Sequence, residues 1–169
     1  SLSNVNFSVR VGEILGIGGV AGNGQDELLS ALSGEEKTSQ STVKVFSQPI
    51  GTLAPDERRA IGMRAAPEER LGHAAAPAMT LIENTLITSH SEDVIDQWGI
   101  IKFDNVKEKT RNIVSEFDVR TPTLDNAAAS LSGGNLQKFV IGREILQRPR
   151  VFVVNQPTWG GDAAAAAFI

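Results

Sequence analysis

The sequence lacks cysteine and tyrosine, and only 5% of its 169 residues are aromatic. The absence of cysteine excludes disulfide bonds and thiolate metal sites within this chain, and it is compatible with a reducing compartment. No apolar run approaches the roughly 18 residues that a membrane-spanning helix needs. The formal net charge of -4 gives no overall electrostatic reason to bind nucleic acid or an anionic membrane. Any phosphate that this chain contacts must therefore be held by a local site.

The composition is otherwise that of a globular domain, with 41% hydrophobic and 21% charged residues. These values exclude intrinsic disorder and a collagen-like repeat. His73 and His90 lack the spacing of metal ligands, and no metal site is predicted. The chain begins at Ser1 without an initiating Met and ends within the apolar stretch 163–169, so we interpret it as a fragment of a longer protein.

The spacing of apolar residues predicts an alternation of strands and helices. Alternating apolar residues predict a strand over 5–11, and an apolar run predicts a second strand over 14–17. A glycine-dense loop over 18–24 leads into a predicted helix over 25–33, with Gly34 as its stop. Further predicted elements are a strand at 43–46, a helix that starts at 55, a helix over 80–88 with a capping box at Thr80 and Glu83, helices over 105–117 and 135–147, and a strand at 151–154.

The glycine loop is the first candidate site. Residues 19–26 read G-V-A-G-N-G-Q-D, which matches the glycine spacing of a phosphate-binding loop but not its last two positions. Gln25 stands where a lysine would reach the β and γ phosphates, and Asp26 where a hydroxyl would bind magnesium. The alternative is a glycine turn that only allows close packing of the helix. The candidate nucleotide-binding residues are Gly19, Gly22, Asn23, Gly24, Gln25 and Asp26.

The second candidate site starts a helix. Ser132 can cap this helix, and the two following glycines allow a ligand to approach the backbone N–H groups, which predicts an anion site. The alternative is an ordinary Ser-Gly-Gly helix start. The string resembles the L-S-G-G-Q signature of ATP-binding cassette ATPases, with Asn135 inserted before Leu136 and Gln137. Together with 67–70 and the ending N-Q-P-T-W-G, it resembles the second nucleotide-binding domain of simple-sugar and nucleoside importers.

This resemblance implies an α/β fold, in which a P-loop NTPase-like core with a parallel sheet carries a helical insertion. It implies one incomplete cassette with three parts: the phosphate-loop part of the core at 1–66, the helical insertion with the coupling loop and the signature helix at 67–147, and the return to a core strand and the D-loop at 148–169. Glu68 falls where the family often places a glutamine, in a loop that faces a membrane subunit, although a solvated turn is the alternative. Asp162 matches the D-loop aspartate.

The end of the last predicted strand departs from the family pattern. In such ATPases an Asp that supports magnesium and a Glu that positions or activates water follow four apolar residues. Here Asn155 and Gln156 follow 151–154, so both carboxylates have become amides. An amide carries no charge to hold a divalent cation and cannot act as a general base near neutral pH. We therefore expect the chain's own site to bind ATP weakly or without turnover, and leave its use of Mg²⁺ open.

The resemblance also implies how such a chain would act. Family members work as head-to-tail pairs, with each ATP between one phosphate loop and the other domain's signature helix. We expect a degenerate second cassette, peripheral at the cytoplasmic face of the membrane, that contacts transmembrane permease subunits and indirectly serves a solute-binding protein. Two alternatives are an active ATPase, in which Asp26 holds magnesium, and a regulatory module. The segment expected to complete a competent partner cassette's site is Leu131, Ser132, Gly133, Gly134, Asn135 and Gln137.

Overall fold

The computed structural model describes residues 2–20, 22–89 and 93–158. Contacts divide the chain into two compact units, Ser1–Met63 and Arg64–Ile169. The division falls close to residue 66, where the sequence predicts the end of the phosphate-loop part. Each unit has its own helices and its own buried side chains.

The first unit contains helix α1 (Gln25–Ser33), strands β1 (Lys44–Val45) and β2 (Gln48–Pro49), and helix α2 (Pro55–Ala60). The predicted helix over 25–33 is confirmed. Gly34 follows it with a left-handed φ of 91° and donates its N–H to the Ser30 carbonyl, which ends the helix as predicted.

The predicted strand at 43–46 is shorter than expected. β1 pairs antiparallel with β2, Lys44 opposite Pro49 and Val45 opposite Gln48. The chain reverses at Phe46 and Ser47, whose φ values of 49° and 66° both lie in the left-handed region. Two-residue hairpin turns of this kind match the twist of the paired strands, so the strand ends at Val45.

The predicted strands over 5–11 and 14–17 do not form. Both segments are largely exposed, with Val11 at 90% and Ile14 at 98%. Apolar alternation indicates that a segment suits a pleated, half-buried surface, but a strand also needs a hydrogen-bonding partner. Within the described part of the chain, no strand pairs with either segment, so the prediction is wrong here.

A buried arginine joins α1 to α2 inside the first unit. The Arg58 side chain donates from Nη1 to the carbonyl oxygens of Ala31 (2.6 Å) and Leu32 (2.7 Å), and further to those of Leu53 and Gly51. Two of these acceptors lie at the end of α1, where helix carbonyls lack helical partners and a cation is favourable. Burial lowers the pKa of Arg58 from its usual value. The sequence alone did not indicate this role.

The second unit contains most of strand β3 (Met63–Ala66), helices α3 (Leu81–Leu86), α4 (Phe103–Glu116) and α5 (Gly133–Ile145), a 3₁₀ turn at Ala128–Ser130, and strand β4 (Val151–Val154). β3 and β4 are neighbours in a two-stranded sheet. The Asn155 N–H donates to the Ala66 carbonyl at 2.9 Å, so the carboxyl ends of the two strands share one edge. This is the parallel arrangement that the predicted α/β class requires.

The predicted helices form with shifted ends. The capping box of α3 is confirmed, because Thr80 Oγ1 accepts from the Glu83 N–H and Glu83 Oε2 accepts from the Thr80 N–H. The Thr80 N–H and the Thr80 hydroxyl both donate to Glu83 Oε2, and these two bonds lower the pKa of Glu83. α4 starts at Phe103 rather than 105, and α5 spans 133–145 rather than 135–147.

α5 is the central helix of the second unit. Nine of its residues are buried, including the charged Lys138, Arg143 and Glu144. A Cβ on Gly142 would lie 2.6 Å from the Phe117 ring, so glycine allows α5 to approach the end of α4 closely. No helix within the described ranges is long and apolar enough to cross a membrane. The core around α5 includes Leu81, Ile113, Val119, Leu136, Phe139, Val140 and Ile141.

Candidate functional site

The glycine loop is a largely exposed turn that leads into α1. Gly22 and Gly24 have left-handed φ values of 84° and 101°, which glycine adopts without a steric penalty. A Cβ on Gly24 would also lie 2.5 Å from Leu2 Cδ2. Gly24 occupies the N-cap position and supplies no side-chain cap to the helix. The backbone conformation therefore favours glycine at position 24, whereas the exposed Leu2 side chain could move to make room for a Cβ.

The Gln25 side chain folds back over this loop. Its Nε2 donates to the Val20 carbonyl at 3.0 Å, and its Oε1 accepts from the Asn23 N–H at 3.1 Å. A Cβ on Gly19 would lie 2.5 Å from Gln25 Nε2, so the amide lies directly against this glycine. The Gln25 amide thus fills part of the space that a phosphate would need in a loop of this spacing. It also binds the Asn23 N–H group, which is one of the donors that would hold the phosphate.

The charges at the start of α1 also oppose a phosphate. Asp26 and Glu27 lie in the first turn of α1, where a carboxylate already satisfies the positive end of the helix dipole. Their negative charges would repel a nucleotide phosphate at the same place. With no lysine at position 25, the residues of the loop do not fit a triphosphate in the way that the glycine spacing suggests.

The start of α5, unlike the start of α1, leaves a side-chain donor available to a ligand. Ser132 holds the N-cap position, but its side chain makes no capping bond, so the predicted cap is wrong. Ser132 Oγ instead accepts from Asn135 Nδ2 at 2.9 Å, and Asn135 Oδ1 accepts from the Arg120 N–H at 2.9 Å. Because Oγ is the acceptor of this bond, its own O–H remains able to donate. Asn135 therefore orients the serine and joins it to the chain that follows α4.

The first turn of α5 also presents favourable electrostatics for an anion. It contains no acidic residue, and the first N–H groups of any helix lack partners within the helix and lie at the positive end of its dipole. Ser132 and Gly133 are exposed. A serine donor, backbone N–H groups and the helix dipole at one exposed turn are the components of an anion site.

The fold turns Gln137 away from that surface. Leu131, Gly134 and Asn135 are half-buried, whereas Gln137 is only 2% exposed and lies among the core residues of α5. Of the predicted signature residues, Gln137 is therefore enclosed by its own domain, whereas residues 131–135 are exposed or half-buried.

The end of β4 brings together two residues that the sequence singled out separately. Asn155 is 9% exposed and extends the bonding between the strands. Gln156 Nε2 donates to Glu68 Oε2 at 2.9 Å. Two amides and one carboxylate do not fit magnesium, because the Gln156 NH₂ group presents donors where a cation needs oxygen ligands. In the described ranges no cluster of three His, Cys, Asp or Glu side chains is placed to hold a metal.

The loop after β3 is fixed by three polar side chains that the sequence did not assign. Arg70 Nη1 donates to the Gly133 carbonyl at 2.9 Å. Asn84 is fully buried and bonds to the backbone of Ala76 through both its oxygen and its nitrogen. Arg143, 3% exposed, donates from Nη2 to the Ala74 carbonyl at 2.6 Å. For Asn84 and Arg143, the only signal in the sequence was the presence of a polar side chain within an otherwise buried helix.

Part of the ending motif cannot be placed. Asp162 of the predicted D-loop, together with Trp159 and Gly160, lies outside the described residues. The glycine loop belongs to the first unit. Residues 131–135 at the start of α5, called the signature turn below, belong to the second unit together with Glu68 and Gln156.

The order of a glycine loop, a helical insertion, a signature turn and a final strand defines an ATP-binding cassette. Residues 2–159 match the family model described as ABC transporter. The chain therefore belongs to the ABC transporter family.

Several curated proteins are similar to this chain. The guanosine import ATP-binding protein NupO of Bacillus subtilis (strain 168) is 36% identical over 169 residues, which are 100% of this chain and 33% of that protein. The nucleoside import ATP-binding protein NupA of Lactococcus lactis subsp. cremoris (strain MG1363) is 33% identical over 99% of this chain and 33% of its own length. The ribose import ATP-binding protein RbsA 1 of Rubrobacter xylanophilus is 34% identical over 97% of this chain and 33% of its own length. The chain spans 33% of the length of each of these relatives.

Solved cassettes share the fold. The ATP-binding cassette MJ0796, in a dimeric post-hydrolysis state bound to ADP and Pi, has a TM-score of 0.76 at 20% identity, covering 99% of this chain and 71% of that one. A second dimeric structure of MJ0796, a bacterial ABC transporter cassette, has a TM-score of 0.75 at the same identity and coverage. The predicted fold class is confirmed.

Proposed function

We propose that this chain is the second, catalytically degenerate cassette of an importer for nucleosides or simple sugars. The family membership supports a cassette, and relatives named for guanosine, nucleoside and ribose import support these solute classes. Nucleoside is the class we propose first, because the ending N-Q-P-T-W favours it and because the guanosine import protein is 36% identical to this chain, against 34% for the ribose import protein.

The observation that carries the proposal is the use of hydrogen-bond donors at the two glycine-containing turns. At the glycine loop, the Gln25 amide accepts from the Asn23 N–H and lies against Gly19. At the signature turn, Ser132 is exposed, its hydroxyl proton is free to donate, and the first helical turn of α5 carries no acid. The glycine loop therefore disfavours a phosphate, whereas the signature turn favours one.

The chain's own site is therefore proposed to bind ATP weakly and without turnover. It has no lysine at position 25, and neither Asn155 nor Gln156 supplies the negative charge that helps to hold magnesium or can act as a general base. ATP held by a competent partner cassette supplies the phosphoryl group whose transfer powers transport. The role of this chain is to bind and orient that nucleotide's phosphates through Ser132, the N–H groups of Gly133 and Gly134, and the dipole of α5.

The remaining partners follow from the same proposal. Transmembrane permease subunits would receive the closing motion through the coupling loop around Glu68, and a solute-binding protein would act on the permease from the other side. The chain would lie peripherally at the cytoplasmic face of the membrane. The charge of -4 supports the absence of a nucleic-acid partner.

The test is ATP turnover by the full-length protein, assembled with its membrane subunits, carrying Ser132→Arg. The long cation would fill the signature turn, and we expect turnover to fall about 100-fold, the scale on which one preorganised donor acts in catalysis. Ser130→Arg is the matched control, because Ser130 is also exposed and bonds only to the nearby Ala127 carbonyl.

Each other outcome has a distinct meaning. Unchanged turnover in Ser132→Arg contradicts the donation of the signature to a partner. Loss of turnover on Asp26→Ala would support an active ATPase with unusual magnesium ligation instead. Failure of the full-length protein to copurify with any membrane subunit would support a regulatory module.

A further inference from the structure

A side-chain hydrogen bond joins the coupling loop to the end of β4. Gln156 Nε2 donates to Glu68 Oε2 at 2.9 Å, one residue beyond the bond between the Asn155 N–H and the Ala66 carbonyl. Gln156 has a left-handed φ of 45°, a conformation that is unfavourable for a non-glycine residue. The backbone thus adopts an unfavourable conformation at the residue whose side chain reaches the loop.

The two residues pair an amide with a carboxylate. An amide and a carboxylate form the same bond in either order, because one supplies N–H donors and the other only acceptors. Exchanging the two residue types should therefore preserve the bond, whereas changing one of them alone should not.

The loop is also bonded at its other end. Arg70 Nη1 donates to the Gly133 carbonyl at 2.9 Å, in the first turn of α5. Residues 68–70 therefore connect the end of β4 to the signature turn through two hydrogen bonds to charged groups. Such bonds are stronger than those between neutral groups.

We propose that Glu68 and Gln156 form a latch, which holds the coupling loop on β4 and, through Arg70, positions the signature turn. Glu68 and Gln156 act here as positioning residues. The part concerning the signature turn rests on the proposed function, whereas the bond between loop and strand does not. Because the latch needs one donor and one acceptor, restoring a carboxylate at position 156 alone should break it by placing two carboxylates together.

The test compares Gln156→Glu, Glu68→Gln and the double variant Glu68→Gln/Gln156→Glu in the full-length protein. Amide hydrogen exchange is measured over residues 66–72 and 131–137, and ATP turnover is measured in the assembled complex. We expect Gln156→Glu to speed exchange in both segments about tenfold, which corresponds to about 1.4 kcal/mol. The double variant should return exchange to within about threefold of the parent, because it restores a donor facing an acceptor. Glu69→Gln is the matched control, since Glu69 is the exposed neighbour of Glu68.

The latch is overturned if the double variant exchanges as fast as Gln156→Glu, or if Gln156→Glu leaves exchange unchanged. The two proposals fail separately. Rescue of exchange by the double variant, with turnover insensitive to Ser132→Arg, would retain the latch and reject the proposed function. Loss of turnover in Ser132→Arg without rescue of exchange would reject the latch alone.

Discussion

The starts of α1 and α5 follow the same rule of helix chemistry with opposite results. Each begins at a glycine-containing turn, and each offers N–H groups and the positive end of a dipole. At α1, Gln25 and two acids meet these demands from within the chain. At α5, Ser132 bonds to Asn135 instead of to the helix, and no acid is present. The start of α5 therefore keeps donors available to a ligand, whereas the start of α1 is satisfied from within the chain.

The largest expected effect concerns what holds α1 in place. Arg58→Leu removes a side chain that donates to four carbonyls, and we expect the first unit to lose about 3 kcal/mol of stability, because these mostly part-buried oxygens lose a charged donor. Amide exchange in α1 should accelerate while exchange in α5 stays unchanged. Arg59→Leu, the neighbouring substitution in α2, is the control. If the amides of α1 were equally protected from exchange in both variants, Arg58 would have no special role in holding α1.

The next effect tests the signature side of the comparison. Asn135→Ala removes the bonds to Ser132 and to the Arg120 N–H. We expect turnover of the assembled complex to fall about tenfold, equivalent to about 1.4 kcal/mol. Asn105→Ala is the matched control, because Asn105 bonds to the Asp93 carbonyl near the start of α4. If both variants reduced turnover equally, Asn135 would have no special role in orienting the serine.

A smaller effect is expected at the glycine loop. Gln25→Lys removes the amide from the loop and restores a cation, yet Asp26 and Glu27 remain. Affinity for a fluorescent ATP analogue should rise about threefold, since an exposed charge contributes only a fraction of a kcal/mol. Turnover at this site should not appear, because Asn155 and Gln156 are unchanged. Measurable ATP hydrolysis that requires the Gln25→Lys substitution and does not depend on Ser132 would contradict the difference drawn between the starts of α1 and α5.

The smallest expected effect concerns α3, a helix whose start is already capped by hydrogen bonds within the chain. Hydrogen bonds to Thr80 lower the pKa of Glu83, so the capping box stabilises α3 at pH values above the usual carboxyl pKa and loses that contribution as the pH falls through the lowered value. Exchange at the start of α3 should therefore accelerate on acidification. Glu83→Gln should abolish this pH dependence, and its persistence would assign the effect to another group.

Helix positions were predictable because they depend on neighbours in the sequence. The apolar spacing in α1 and α4, the Gly34 stop and the capping box at Thr80 and Glu83 all lie within a few residues of one another. The strands over 5–11 and 14–17 failed for the opposite reason, since a strand depends on a partner elsewhere in the chain. The shifted ends of α4 and α5 reflect the same limit, as packing extends or shortens a helix beyond its local signals.

The sequence by itself determined which chemistry is missing: no lysine at Gln25, no carboxylates at Asn155 and Gln156, and a signature string at 131–137. These are properties of side-chain type, which no fold can alter. The tertiary structure decided the rest. It buried Gln137, folded Gln25 over its loop, and joined Gln156 to Glu68, 88 positions apart. Such contacts depend on how distant segments pack, because a side chain's donors and acceptors specify what it can bind but not what it will meet.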